Sequence, residues 1–293
     1  MKNCTIEKKY KIIENQIFEG ERPLFKTSFI SLIKCSFTQG ESALKFVNNI
    51  KASKCDFSSK YLFWHDENLK IENSTFHEGA RASIWYSKGI SLEKCKIDTP
   101  KIFRDAKSIF IKECEFNTNE TLWDCKDIKI YDTSFKGDYL LLHSENISIE
   151  NFVLDGNYSF QHTKNLILKN VKIKSKDPFW NSENITVYDS IIDGEYLGWY
   201  SKNLKFVNCK IMGTQPLCYA DNLVLENCEM IDTDLAFEYS TLNADITTSI
   251  DSVKNPTSGY IKAKEINDLI LDDENVKKEQ LKIVTDVLCK GVV

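Results

Sequence analysis

The chain has 293 residues, of which 42% are hydrophobic and 28% are charged, as in ordinary soluble globular proteins. Its formal net charge of −5 argues against a dedicated nucleic-acid binder, because such proteins normally carry a basic surface. No segment approaches the roughly 18 consecutive apolar residues that a membrane-spanning helix needs. We therefore expect neither a nucleic-acid partner nor a membrane partner.

The N-terminal segment, residues 1–25, precedes a repetitive region and is expected to cap it. It contains no apolar stretch long enough for a signal peptide, which favours a cytoplasmic protein. The ten cysteines of the chain show neither a CxxC motif nor a Cys/His zinc spacing, so they indicate no metal site and no cofactor. In a reducing compartment they should remain thiols.

A repeat begins at Ile30 and extends to Leu242. The first inward-facing residue of each copy is called its anchor here, and from Ile90 onward the anchors recur every 19 residues. The anchors are Ile30, Ile50, Leu69, Ile90, Ile109, Ile128, Ile147, Leu166, Ile185, Leu204, Leu223 and Leu242. A fixed period in this range indicates stacked supersecondary units.

Each repeat contains three short apolar segments, with positions counted from the anchor. One has apolar residues at the anchor and at +2, the second at +5 and +7, and the third lies before the anchor. Period-two alternation predicts short half-buried strands that are stable only when they pair with the neighbouring copy. Three such strands per copy predict an all-β fold: a single-domain, three-sided, right-handed parallel β-helix of about 12 coils over residues 26–271.

Two columns of residues support this fold. Position −1 is almost always Asn, Gly or Asp, the types that tolerate a positive φ angle at a sharp corner. Position +5 is often cysteine, which suits a small buried site. Both columns are predicted to be structural, with the Asn side chains hydrogen-bonded from coil to coil.

The C-terminal segment, residues 272–293, is predicted to be a short helix. The sequence DDENVKKEQLKIVTDVLCK has Asp272 or Asp273 as a possible N-cap, with Val276, Ile283, Val287 and Leu288 on one face. This helix would close the solenoid or contact a partner.

The third side of the solenoid is the expected functional side. Position −5 contains all five tryptophans and position −4 contains three of the four histidines. If position −6 is core, alternation directs the tryptophans outward as a binding strip. Alternatively, they pack under loops or against a second subunit. The candidate ligand-binding residues are Trp85, Tyr86, Trp123, His162, Trp180, Trp199 and Tyr200.

The most reactive-looking cluster on this side contains the candidate catalytic residues Arg104, Asp105, Asp124 and His143. Two carboxylates one coil apart could divide into general acid and base, or hold a cation. Arg104 could bind an acidic sugar through two parallel hydrogen bonds. The alternative is a structural Arg–Asp network with hydrogen-bonded histidines, and no metal site is predicted.

Several phrases of the sequence resemble an uncharacterised bacterial family, domain of unknown function 3737, in the pectate-lyase-like superfamily. They include IFEGERPLF, ARASIWY, ETLWDC, SENITVYDS, GEYLGWYSKNL and LAFEYST. The resemblance implies a right-handed β-helix and no established activity. The GHG and RxK elements of polygalacturonase-like hydrolases are absent from the sequence, so that mechanism does not transfer.

Two functions remain open from the sequence. The first is an oligosaccharide-binding or carbohydrate-active protein that uses the aromatic side; as an enzyme it would be a polysaccharide lyase or a glycoside hydrolase. The second is a non-catalytic scaffold that forms homo-oligomers and has no small-molecule substrate.

Overall fold

A computed structural model describes residues 9–287 of the chain. The chain divides into two compact units, unit 1 up to Asp127 and unit 2 from Ile128 onward. Within each unit, short strands pair in parallel with the strands one coil earlier and one coil later. Each unit is therefore an all-β parallel β-solenoid, which confirms the predicted fold class. The right-handed sense stays a prediction.

In unit 1, the anchor residues pair in the register that the repeat predicts: Ile50 lies beside Leu69, and Leu69 lies beside Ile90. A 3-10 helix covers Glu78–Ala80. The strands are β1 (Lys11–Glu14), β2 (Ile17–Glu21), β3 (Ser28–Ile33), β4 (Ser36–Glu41), β5 (Asn48–Ser53), β6 (Asp56–Phe57), β7 (Glu67–Glu72), β8 (Thr75–Phe76), β9 (Lys88–Glu93), β10 (Lys96–Ile97), β11 (Lys107–Lys112) and β12 (Glu115–Asn117).

In unit 2, Ile147 pairs with Leu166, Leu166 with Ile185, and Ile185 with Leu204. Strand β13 (Lys126–Lys136) includes the division between the units, and a 3-10 helix covers Lys278–Gln280. The other strands are β14 (Glu145–Asp155), β15 (Lys164–Lys174), β16 (Glu183–Tyr188), β17 (Ile191–Asp193), β18 (Lys202–Val207), β19 (Lys210–Met212), β20 (Leu223–Ile231), β21 (Thr241–Ile246), β22 (Ser249–Lys254), β23 (Ser258–Ala263), β24 (Glu265–Ile270) and β25 (Leu281–Thr285).

The N-terminal segment differs from the expected cap over residues 1–25. Strands β1 and β2 pair in parallel with β3 and β4, so the solenoid already includes them. Phe18 explains why, because its ring stacks on that of Phe37 at 4.8 Å and continues the apolar interior of the coils. Residues 1–8 lie outside the described part of the chain.

The C-terminal segment also differs from its prediction, because the structure has a strand where a helix was expected. Strand β25 pairs with β23, with Leu281 opposite Gly259 and Ile283 opposite Ile261. Parallel pairing with a preformed strand satisfies its backbone groups, and this tertiary contact outweighs the weak helical preference of the segment. The end of the expected helix, residues 288–293, lies outside the described residues.

The two structural columns predicted from the sequence are confirmed. The cysteines at position +5 are at most 4% exposed, as small core residues should be: Cys35, Cys55, Cys95, Cys114, Cys209 and Cys228. At position −1, the Nδ2 atom of Asn184 donates to Oδ1 of Asn165 (3.1 Å), and Asn203 donates to Asn184 (2.8 Å). Asn184 has a φ of 60°, the left-handed conformation that the corner requires.

A second asparagine column, at position +4, was not predicted. Asn170 donates to Asn151 at 2.7 Å, and Asn227 donates to Asn208 at 2.9 Å. The residues of both columns have positive φ angles, for example 51° at Asn170 and 52° at Asn227, so hydrogen-bonded amides fix two corners of these coils.

The third side is not the regular strand that the apolar triplets predicted. Positive φ angles recur there at alternate residues, for example Tyr158 (58°), Phe160 (61°) and His162 (55°). Bulky residues adopt this conformation only where the surroundings impose it. Here the backbone N–H groups of Phe160 and His162 bind carbonyls of neighbouring coils, each at 2.8 Å. The coil-to-coil hydrogen bonds therefore hold a tightly turned segment.

Asn184→Gly is expected to lower the free energy of unfolding by about 1–2 kcal/mol, because it removes two side-chain hydrogen bonds. Glycine adopts the positive φ without strain, so the backbone adds nothing to this loss. Asn184→Ala should cost about 1 kcal/mol more, since alanine is strained in that conformation. Urea unfolding followed by circular dichroism measures both. Stabilities equal to that of the wild type would show that the ladder does not stabilise unit 2.

Candidate functional site

Side chains at position −5 of the third side form stacks and are called the Trp column here. In unit 1, the rings of Trp64 and Trp85 stack at 5.1 Å with an interplanar angle of 4°. The guanidinium of Arg104 lies 4.9 Å from the Trp85 ring centroid and 4.8 Å from that of Trp123. In unit 2, Trp180 and Trp199 stack at 5.8 Å. All five tryptophans are half-buried.

The indole N–H groups of the Trp column are also engaged. Those of Trp64, Trp85 and Trp199 donate to backbone carbonyls of the following coil at 2.6–2.7 Å. The ring faces are thus directed at neighbouring coils, and the polar edges are tied to the backbone. A sugar ring could reach only the outer edges of these indoles, so the column differs from the open aromatic strip that alternation predicted.

Position −4 is the outermost position of the third side and is called the outer column. In unit 1, Tyr86 is 43% exposed and stacks on His65 at 4.8 Å. Asp105 and Asp124 are exposed on successive coils, and the backbone N–H of Asp105 binds the carbonyl of Trp123 at 3.1 Å. Within residues 9–287, no group of three or more His, Cys, Asp or Glu side chains is arranged to hold a metal ion.

In unit 2, the outer column borders an open depression of about 470 Å³. His143 and His162 have ring centroids 4.9 Å apart, and Asn181 follows on the next coil. Tyr200 comes after Asn181 and is 46% exposed. The depression is lined by His143, Ser144, Glu145, His162, Lys164, Asn181, Ser182, Glu183, Tyr200 and Lys202.

His162 is held as a neutral imidazole in this depression. Partial burial, together with the neighbouring His143, lowers its pKa below the usual value. The amide Nδ2 of Asn181 lies 2.9 Å from Nδ1 of His162, and because an amide nitrogen only donates, Nδ1 must accept. The ring proton therefore sits on Nε2, which makes His162 a hydrogen-bond donor at neutral pH.

Tyr200 lines the depression as an aromatic side chain with one covered face. Its ring stacks on Tyr219 at 5.0 Å with an angle of 16°, which covers the side toward the following coil. On the other side the outer column has the smaller Asn181, and the Trp180 ring lies 5.0 Å away at an angle of 59°, so this face is only partly covered. The exposed part of Tyr200 can therefore contact a ligand by its ring and its hydroxyl group.

The opposite wall of the depression is formed by position −2, which sequence reasoning missed. Its charges alternate from coil to coil: Glu145, Lys164, Glu183 and Lys202. Lys164 and Glu183 form an ion pair at 3.6 Å. A single lysine or glutamate at a surface position is common and does not indicate a site. The regular alternation of charge sign along this column is the only sequence feature that indicates it.

The structure separates the residues predicted from the sequence into two sets. His143, His162 and Tyr200 lie together in the depression of unit 2, whereas Trp180 and Trp199 belong to the stack beside it. Arg104, Asp105 and Asp124, with Trp85, Tyr86 and Trp123, belong to unit 1. The candidate catalytic residues are thus divided between the units, with His143 in unit 2.

The coil-by-coil parallel pairing and the polar depression define a parallel β-solenoid protein with a ligand-sized concavity on one side. A family described as Protein of unknown function (DUF3737) matches residues 11–284. The chain therefore belongs to that family, as the phrases in its sequence predicted. A search of curated proteins found no match.

Among solved structures, the chain is similar to the A-module of the Azotobacter vinelandii mannuronan C-5 epimerase AlgE4. Identity is 8%, coverage is 94% of this chain and 87% of that chain, and the TM-score is 0.35. It is also similar to a mutant tailspike protein of E. coli bacteriophage HK620 in complex with pentasaccharide. There the identity is 9%, the coverage is 94% and 72%, and the TM-score is 0.33. In residues 9–287, the structure has no helix with the length and apolarity needed to cross a membrane.

Proposed function

We propose that this protein binds a short oligosaccharide in the depression of unit 2. The observation that carries the proposal is the mixed lining of that depression, which places neutral donors, acceptors and an aromatic ring around a volume of about 470 Å³. Ligand sites commonly have volumes of about 300–1,000 Å³. A sugar presents hydroxyl groups that both donate and accept, together with an apolar C–H face, and this lining offers partners for both.

Each wall of the depression has a separate part in this binding. His162 donates through Nε2 and Asn181 offers the oxygen of its amide, while the Tyr200 ring covers an apolar sugar face. Lys164 and Glu183, which already pair at 3.6 Å, can bridge neighbouring hydroxyls from the opposite wall. The depression is open, so water competes for these groups and the affinity is expected to be modest.

Loss of sugar binding in two variants tests the proposal. His162→Ala and Tyr200→Ala are each expected to weaken binding about tenfold, because each removes a side chain that faces the ligand. A glycan screen identifies the ligand, and isothermal titration calorimetry with that glycan measures the affinity. Tyr188→Ala is the matched control, since Tyr188 is an exposed tyrosine that does not line the depression.

Binding should also weaken as the pH falls toward and below the lowered pKa of His162. Protonation removes the Nδ1 acceptor that Asn181 uses and places a positive charge beside His143. If no glycan binds, or if Tyr188→Ala weakens binding as much as Tyr200→Ala, the proposal is wrong. A scaffold function then takes its place, and sedimentation analysis of the oligomeric state examines it.

A further inference from the structure

Arg104 occupies an unusual position in the Trp column of unit 1. Its backbone forms parallel bridges with Trp85 on one coil and Trp123 on another. The guanidinium carbon lies 4.9 Å and 4.8 Å from the centroids of these two rings. Cation–π attraction from both sides therefore holds the guanidinium between two indoles.

The hydrogen-bonding edge of this guanidinium is unused within residues 9–287. No carboxylate of this part of the chain forms an ion pair with Arg104, and no acceptor in it receives a hydrogen bond from the side chain. The two other arginines of the chain are Arg22 and Arg81, and Arg81 donates to the hydroxyl of Tyr61 at 3.2 Å. Glu120, on the following coil, pairs with Lys101 at 3.3 Å. Arg104 thus carries a full charge, and none of its five N–H donors is bound by an acceptor in the described part of the chain.

A clamped guanidinium of this kind is prepared for one class of ligand. The indoles restrict its rotamers, so little side-chain entropy remains to be lost on binding, and its planar fork matches two oxygens of an oxyanion. We propose that Arg104 is the recognition group of an oxyanion-binding site in unit 1. The ligand bears a carboxylate or a phosphate, and the site is separate from the depression of unit 2.

Asp105 provides an internal check on this proposal. It follows Arg104 directly and is exposed, and its negative charge opposes the approach of an anion. If Arg104 had only a structural role, removing the charge of Asp105 would not change the affinity for anions. For a binding Arg104, Asp105→Asn should strengthen oxyanion binding about two- to fivefold at low ionic strength.

Arginine side-chain NMR tests the site directly, because the chain has only three arginines. With ¹⁵N-arginine labelling, titration with sodium phosphate or sodium acetate should shift one Nε–Hε signal saturably. That signal is assigned as the one missing from Arg104→Gln. Sodium chloride at matched ionic strength should leave it unmoved. A stronger response to phosphate identifies a phosphate-bearing ligand, and a stronger response to acetate identifies a carboxylate.

Two further variants separate charge from geometry. Arg104→Lys keeps the charge and loses the fork, so calorimetry should show oxyanion binding weakened about tenfold. Arg104→Trp continues the indole stack without the charge and should abolish binding, with the circular dichroism spectrum unchanged. Tyr188→Ala, which changes an exposed residue outside both sites, should leave oxyanion binding unchanged. Equal, unsaturable responses of all three arginines, or unchanged binding in Arg104→Trp, would overturn the proposal.

Discussion

Asp66→Ser is expected to stabilise unit 1 by about 3–5 kcal/mol at pH 9 and by much less at pH 4. Asp66 is 1% exposed, and only one of its carboxylate oxygens is satisfied, by the backbone N–H of Val47 at 2.9 Å. The second oxygen has no hydrogen-bond partner. Burial of this carboxyl group raises its pKa from 3.8 to about 8.

The pH dependence follows from the direction of that shift. The folded state holds the proton of Asp66 more tightly than the unfolded state does, so the associated stability is complete below about pH 4. It is lost progressively as the pH rises toward 8. A shift of about four pKa units corresponds to an upper value of about 5–6 kcal/mol. Water entry on ionisation makes the real loss smaller.

Serine is the appropriate replacement because the same column position is serine in other coils. Ser87, one coil further on, accepts the N–H of Asp66 at 2.9 Å and donates to the carbonyl of Phe63 at 2.8 Å. Serine at position 66 should make the corresponding pair of bonds with Val47 and with the carbonyl of Leu44. Serine would thus satisfy the backbone N–H of Val47 and the carbonyl of Leu44, and its side chain does not ionise.

Urea unfolding of the wild type, Asp66→Ser and Asp66→Asn at pH 4, 7 and 9 measures this effect. The stability of the wild type should fall between pH 4 and 8 relative to both variants, which share the loss of the titrating group. Asp66→Asn is the control for volume, since it keeps the shape of the side chain. Parallel stability curves for the three proteins would show that Asp66 ionises without cost.

Much of the fold could be predicted because a solenoid repeats its physical constraints. The alternation around Ile185 and Leu204 returns every 19 residues, so an error in one coil is corrected by the next. The corner at Asn184 was predictable for the same reason, because a side chain that tolerates positive φ recurs at that position. Asp66 was not singled out from the sequence, although it is an acid in a column that is mostly occupied by small neutral residues such as Ser87 and Ser182.

The third side could not be predicted in the same way. Phe160 and His162 are types that normally avoid positive φ, so their conformation is set by hydrogen bonds between coils and not by local preference. The stack that includes Arg104 depends on the side-chain rotamers. Alternation in the sequence predicts only which face of the strand a side chain leaves from. Likewise, the sequence does not show that Lys164 and Glu183 form a wall of a depression, because the depression depends on how the coils pack.

The C-terminal strand illustrates a competing signal. Leu281, Ile283 and Thr285 alternate with more polar or more exposed residues, which is typical of a strand, yet the acidic start of the segment suggested a capped helix. The deciding factor is the open backbone of β23, which offers hydrogen bonds to any segment that reaches it. Tertiary pairing of this kind has no local sequence signature.

Phe160→Ala is expected to lower the free energy of unfolding by about 3–5 kcal/mol and to abolish ligand binding in the depression. Phe160 is fully buried and stacks on Phe179 at 5.1 Å. Its carbonyl accepts hydrogen bonds from the hydroxyls of Thr163 (2.8 Å) and Ser182 (2.7 Å). The ring therefore supports the turned segment that carries His162 at the edge of the depression.

Phe160→Leu is the matched control, because the preceding coil has Leu141 at this position with a similar φ of 65°. Leucine fills most of the space, so the cost should be about 1 kcal/mol and binding should be largely retained. Urea unfolding and calorimetry with the identified glycan compare the two variants. Equal losses in Leu and Ala would mean that the stacked aromatic ring itself, and not the volume it fills, supports stability. Full binding by Phe160→Ala would show that His162 is positioned by hydrogen bonds between coils alone, without support from the core beneath it.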